Sequence, residues 1–538
     1  MGAASEIRNV YPKCLVFVLI AALVTIALWP AFESPATPGD EGTTLVYPEM
    51  FSKGRLPYRD FDTMYGPGNI LILSAVYAGF GTNIFVERAV GLIYRLLILL
   101  AIFGIVQRWG IIVAFGCTFL TAVLLGSTEV WANSWIGAVA FALCALWAMA
   151  DVKSGRRCFV AGVLGGIALL CRCDFGPALI ASVLPLFLSM NPSARYKFLG
   201  GESLALLPLL WLSVVAGPAQ LVYSIFTFPV FHLSWSGYLP ISAASGDVLC
   251  LLYLHVGASV LNVGAGLVEL RAARSPRAWL LLGTALLGAG SIHYAWWRPD
   301  SGHVLNAALV SLALIPLSIF VLFSATAKTF PSWIKSAAAI IIVIAAIHLL
   351  LPRFTLYFYR GLRVGFHLES ARQVSKMGEQ FEPGDKGVFV KRNERSFPLG
   401  TTGAARVTDN MLAELDRVTV PGQRLFVGPG DLRRTNYCDS FIYHMLPQLQ
   451  PATYFLEMNP GSANAPHSRL AQDVATADWL VLNHNWDLLD EPNGSRQFGP
   501  DTPNQVVQEK FDRWAEIGPY FLFRNKKLRN AVMLPPAP

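Results

Sequence analysis

GDEGTTLVYPEMFSKGRLPYRDFDTMYGPG, residues 39–68, follows the first membrane-length apolar run and governs how the rest of the chain is read. It opens on the acidic pair Asp40-Glu41 and carries Asp60, Asp62 and Tyr65 before the chain turns apolar again. An acidic pair beside lipid is costly unless it is solvated or used. The stretch therefore reads as an acidic outer loop, with chemistry at the membrane surface as its use.

Across the whole chain, 54% of the 538 residues are hydrophobic and 14% are charged. A water-soluble chain of this length needs far more charge to cover its surface, so the sequence is that of a polytopic membrane protein. Runs long enough to span lie near 14–33, 89–106, 110–127, 134–150, 158–173, 175–190, 198–218, 246–269, 278–297, 303–323 and 334–352, about eleven in all. The run 68–82 is short and glycine-containing, and the charges decide its place. If it lies on the outer surface, the inner loops hold Arg8, Lys13, Arg108, Lys153, Arg156, Arg157, Arg195, Lys197, Arg271, Arg274, Arg277, Lys328 and Lys335. That agrees with the positive-inside bias, whereas a spanning 68–82 would reverse it. The same bias accounts for the net charge of +7, which is no sign of nucleic-acid binding. On this topology the acidic loop, Arg88, the Arg172-Cys173-Asp174 turn, the 219–245 loop and HYAWWRPDSGH (293–303) all face outward.

From about residue 355 the apolar runs shorten to strand length. Segments 386–390, 424–428, 453–458, 478–483 and 519–523 read as strands. Segments 406–418 and 439–446 read as helices, with Asp409 or Asn410 and Asp439 as caps. The expected organisation is a membrane domain over 1–355, including an outer loop and juxtamembrane element at 34–82, and an extracytoplasmic α/β domain over 356–538. The eight cysteines show neither a disulfide framework nor metal-ligand spacing.

GDEG (39–42), GRLPYRDFDTMYGPG (54–68), Arg172-x-Asp174 and RPDSGH (298–303), in that order along a polytopic chain, resemble the GT-C superfamily of integral-membrane glycosyltransferases. The likeness covers the first 350 residues or so; no family is evident for the remainder. It implies transfer of a sugar from a polyprenyl-phosphate donor to an acceptor (glycan, lipid or protein) outside the cytoplasmic membrane. It also implies that Asp40, matching the first acid of the family's pair, is the catalytic base, with Glu41 the alternative or a partner. One departure stands out: relatives often place a lysine before the proline that closes the first loop, and here Tyr65-Gly66-Pro67 stands instead.

The chemistry asks for the same residue types. A base must take the acceptor's proton, and cations must stabilise the departing phosphate. Arg172, Arg298 and His303 are the leading phosphate candidates, with Arg88 behind them and Tyr65 as a neutral hydrogen-bond donor. Asp60, Asp62, Asp174 and Asp300 are candidates for acceptor binding or for supporting the base and the arginines. Some relatives use a divalent metal at the acidic loop, and Asp40, Glu41 and Asp62 offer oxygen ligands, but no metal is assigned. The competing class is a transporter or flippase of a lipid-linked precursor. Against it, the acids cluster at one surface and no inverted hydropathy repeat is present.

Overall fold

Seven helices among the described residues are long and apolar enough to cross a membrane: Lys13–Glu33, Ile84–Trp109, Pro192–Ala216, Gly246–Ala272, Pro276–Trp297, Ser301–Thr326 and Ser332–Leu350. Four shorter apolar helices accompany them: Gly68–Phe80, Ile111–Leu125, Ser134–Met149 and Cys173–Ser189. The structure, a computed structural model, describes residues 2–151, 154–326, 329–373 and 384–530. The loop cations Lys153 and Lys328 lie outside them.

The outward faces of the bundle suit lipid. Leu204, Leu207, Leu210, Trp211 and Val214 are exposed along one helix, an apolar stripe that water would not tolerate. The expected span 158–173 is the glycine-rich helix Gly155–Cys171. It lies against Pro192–Ala216 so closely that a Cβ on Gly162 would sit 1.9 Å from the Phe198 carbonyl oxygen. Small residues let two helix backbones meet where lipid supplies no hydrophobic drive. The segment 68–82 forms the 13-residue helix Gly68–Phe80, about 20 Å long and too short to span.

Two segments that read as loops are wound. The acidic loop is largely helical: Asp40–Ser52 forms a helix with Pro48 inside it. The outer 219–245 segment is also wound, as a short helix, a π-helix over Tyr223–His232 and a last turn at Leu233–Ser236.

In the C-terminal region, β1 (Val388–Arg392) and β2 (Arg395–Leu399) form an antiparallel hairpin. A five-stranded mixed sheet holds β3 (Arg424–Pro429), β4 (Gln450–Pro451), β5 (Trp479–Asn483), β6 (Phe511–Ile517) and β7 (Tyr520–Asn525) in the order β4-β3-β5-β7-β6. β3 runs parallel to β4 and β5, and β7 is antiparallel to β5 and β6. The helix Thr402–Val418 is capped by the Thr401 hydroxyl, which accepts from the Ala404 N–H at 3.2 Å, and not by Asp409 or Asn410. The second expected helix shrinks to Phe441–Met445, and Asp439 turns inward to accept from the Trp486 indole instead of capping it. The boundary placed at 355/356 falls within the amphipathic helix Pro352–Gly365, which packs on the first helix at Ala27 and Ile26.

The segment 453–458 is not a strand. The Tyr454 N–H donates to Asp473 (2.7 Å), its carbonyl accepts from the Asp62 N–H (2.7 Å), and its hydroxyl donates to the Tyr58 carbonyl (2.8 Å). Its polar groups thus tie the α/β unit to the acidic loop rather than to a sheet ladder. The helix Asp40–Ser52 lies between the bundle and this unit, with the Ser440 hydroxyl donating to the Gly39 carbonyl at 2.8 Å and Arg395 forked onto Glu49.

Candidate active site

Consecutive residues on a helix point about 100° apart, and this separates the two acids of the pair. Asp40 faces a cleft of about 150 Å³, lined also by Tyr47, Tyr65, Arg172, Tyr294, His303 and Glu457. Glu41 points the other way and is buried in a two-pronged ion pair with Arg88, at 2.8 and 3.0 Å. Arg88 spends its remaining bonds on the carbonyls of Ala31, Phe32 and Ser34. Neither lines the cleft. The pair staples the acidic helix to the bundle, a different place from those expected of a catalytic acid and a phosphate ligand.

Asp40 is held by a residue from far along the chain. The N–H groups of Gly39 and Asp40 donate to the Tyr437 hydroxyl oxygen (3.2 and 3.3 Å), which in turn donates to Asp40 Oδ2 at 3.5 Å. The carboxylate opens into the cleft but is hemmed in by protein, and this desolvation raises its pKa. The charges of His303 and Arg298 and the Tyr437 bond oppose the rise.

Arg172 stands at the end of its helix with its guanidinium 5.0 Å from the Tyr65 ring, 5.2 Å from Tyr294 and 5.4 Å from Trp135. Asp174 accepts from Nε and Nη2 at 2.8 and 2.5 Å. The aromatic cage fixes the plane of the cation, and Asp174 fixes its rotation. Gly66 sets the distance from Tyr65 to this turn, since a Cβ there would lie 2.1 Å from the Leu170 carbonyl oxygen. His303 packs on Tyr294, and its Nδ1 lies 2.9 Å from Asp300 Oδ1, which leaves Nε2 as the ring's second working atom. Burial alone would raise Asp300, but the bonds and charge of His303, with Arg298, outweigh it and bring the acid down to about 2.

Arg298 is not a lining residue. It pairs with Asp300, donates to the Gly237 carbonyl and forks onto Glu491 of the α/β unit, so it fastens that unit down. Asp60 accepts from the Leu56 N–H and from Arg59, closing a turn away from the cleft. Asp62 accepts from the Ser462 hydroxyl at 3.2 Å, and burial pushes it up to about 6. Asp40, Glu41 and Asp62 thus point apart, and no three His, Cys, Asp or Glu side chains among the described residues converge on a metal position.

Glu457 and Tyr437 were not anticipated. Glu457 reaches the cleft from the α/β unit, accepting from the Tyr47 hydroxyl and the Asn459 amide at 2.9 Å each. Burial pushes it up to about 7. Its only sequence signal is one acid inside the apolar stretch TYFLEM; Tyr437 has none.

Comparison with solved structures identifies the architecture. ArnT from Cupriavidus metallidurans, solved bound to undecaprenyl phosphate, aligns over 95% of this chain and 97% of its own, with TM-score 0.51 and 16% identity. Its apo state aligns over 96% and 98%, with TM-score 0.52 and 14% identity. The chain has the GT-C fold. The arabinofuranosyltransferase AftD from Mycobacteria aligns more loosely, over 95% of this chain and 40% of its own, with TM-score 0.40 and 14% identity. No family model matches the chain, and no curated protein does. The GT-C alignment with ArnT runs through both the bundle and the α/β unit, whereas the resemblance in sequence stopped near residue 350.

Proposed function

We propose that the protein transfers a sugar from a polyprenyl-phosphate donor to an acceptor hydroxyl, with Asp40 as the base. The observation that carries this reading is a single cleft lined together by the Asp40 carboxylate, an aromatic-caged arginine and a carboxylate-oriented histidine. A full-length GT-C fold supports it. In the proposed step Asp40 accepts the acceptor's hydroxyl proton as that oxygen bonds to the anomeric carbon. The bond from that carbon to the phosphate oxygen breaks, and the phosphate leaves on its lipid. One displacement inverts the anomeric centre.

Desolvation suits Asp40 to the task, because a base whose pKa lies nearer the working pH transfers protons more effectively. Arg172 has a guanidinium edge for the departing phosphate, since Asp174 occupies only Nε and Nη2. His303 offers a second ring donor toward the phosphate, with Asp300 holding the ring. Glu457, titrating near neutrality, faces Asp40 across the cleft and is placed to orient the acceptor hydroxyl. The proposed setting is the cytoplasmic membrane, with the cleft and the α/β unit on the outer side.

The test is turnover by purified protein on a panel of polyprenyl-phosphate sugars. Asp40→Asn should fold normally and lose about 10²–10⁴-fold in rate. Undiminished turnover in that variant would remove Asp40 from the mechanism. Donor-independent flux of a lipid-linked precursor across vesicles would point to the transporter class instead.

A further inference from the structure

The other face of the acidic helix borders a second and larger cavity of about 490 Å³. Glu49 of the helix, Lys53 and Arg55 just beyond its end, and Arg424 and Tyr443 of the α/β unit line it. Three cations face one acid, and that acid is already committed: Glu49 pairs with Arg395 at 2.7 Å and with Lys53 at 2.9 Å.

Arg55 and Arg424, both half-buried, differ from the other arginines of this seam. Among the described residues neither has a carboxylate oxygen within 4 Å of its guanidinium. Arg55 donates only to the carbonyls of Pro451 and Asp60, both at 3.3 Å, and Arg424 to that of Ala452 at 3.5 Å. Such bonds orient a guanidinium without giving it an ion-pair partner. The nearby acids are occupied: Asp60 with Arg59, Asp473 with Arg469, and Asp478 with Lys527. Burial lowers the pKa of Arg55, and the like charge of Arg424 adds to the effect against the pull of Asp60. The Tyr443 oxygen accepts the Val427 N–H at 2.8 Å, so its hydroxyl proton remains to be donated. Two half-buried guanidiniums facing one space repel each other, and an oxyanion between them relieves that repulsion while accepting forked hydrogen bonds.

We propose that this cavity is a second, non-catalytic site that binds a phosphate-class oxyanion through Arg55, Arg424, Lys53 and Tyr443. It lies on the opposite face of the Asp40–Ser52 helix from Asp40 and towards its other end, with Glu49 roughly 13 Å further along the axis. The site is independent of the transferase reading and stands whether or not the cleft transfers sugar. Free phosphate, a phosphorylated glycan and an anionic lipid headgroup share the required chemistry.

The experiment is calorimetric titration of the full-length protein in neutral detergent with inorganic phosphate, repeated in nanodiscs of phosphatidylcholine with and without phosphatidylglycerol. Wild type should bind phosphate saturably and gain melting temperature from it. Arg55→Gln/Arg424→Gln should lose about 100-fold in affinity and the phosphate-dependent gain. Arg55→Lys/Arg424→Lys should fall between, and Arg172→Gln should retain the binding, which separates this site from the cleft. Loss of phosphate binding only in phosphatidylglycerol discs identifies a lipid headgroup as the occupant; equal binding in both discs identifies a soluble phosphate. No saturable binding by wild type in detergent, or equal affinity in wild type and the Gln double variant, overturns the site.

Discussion

Replacing Glu41 by Gln separates a structural acid from a catalytic one. The substitution keeps size and shape while removing the charge that Arg88 is paired with. Both side chains are nearly sealed from solvent, at 3% and 2% exposure, so water cannot take over the lost partner. Breaking a buried pair by deleting one charge costs about 3–5 kcal/mol. Three carbonyl bonds to Arg88 survive, at 2.9–3.0 Å, and place the expected loss at the low end, about 3 kcal/mol. Thermal unfolding of the purified protein should show that loss, while turnover per folded molecule stays within a few-fold of wild type. Asp40→Asn should show the mirror image, with normal stability and collapsed turnover. Glu41→Gln/Arg88→Met should recover part of the loss, because no buried charge is left without its partner, although the carbonyls of Ala31, Phe32 and Ser34 lose their donor. A Glu41→Gln protein as stable as wild type but as inactive as Asp40→Asn would refute the assignment and return Glu41 to the chemistry.

Three further outcomes follow from the geometry. Gly66→Ala drives a methyl into the Leu170 carbonyl and should displace Tyr65 from Arg172, costing about 1–3 kcal/mol in stability and lowering turnover; a silent variant would show that this contact is slack. Glu457 is raised in the folded state from an ordinary 4.5 to about 7, so the folded protein holds a proton that the unfolded chain releases. Its contribution is full below about pH 4.5 and is lost as pH rises through 7, at most about 3 kcal/mol; melting curves from pH 5 to 8 should slope less steeply in Glu457→Gln, and equal slopes would contradict this. The Arg298 fork onto Glu491 ties the α/β unit to the bundle, so a double-mutant cycle on the pair should give about 1–3 kcal/mol of coupling, and zero coupling would mean that the contact does not hold the domain.

What the sequence disclosed follows the cost of polar groups near lipid. Asp40, Arg172 and His303 stand at the ends of apolar runs, where a charge needs a reason, and all three line one cleft. The same argument could not tell Asp40 from Glu41, because the deciding fact is a 100° turn on a helix that reads as a loop in GDEGTTLVYPEM. Arg88 and Arg298 carry the same signal as Arg172, yet their partners Glu41 and Glu491 lie 47 and 193 residues away. Tyr437 and Glu457 come from a unit whose link to the acidic loop is wholly tertiary. Segment 453–458 has strand composition, but Asp473 and Asp62 claim the backbone of Tyr454.

Photo-crosslinking with a polyprenyl phosphate carrying a diazirine near its phosphate reads directly where the donor's phosphate sits. Labelled peptides should contain Tyr65, Arg172 or Tyr294, with labelling competed by unmodified polyprenyl phosphate and weakened in Arg172→Gln. Labelling confined to other surfaces, or undiminished in Arg172→Gln, would contradict a donor site in the Asp40 cleft.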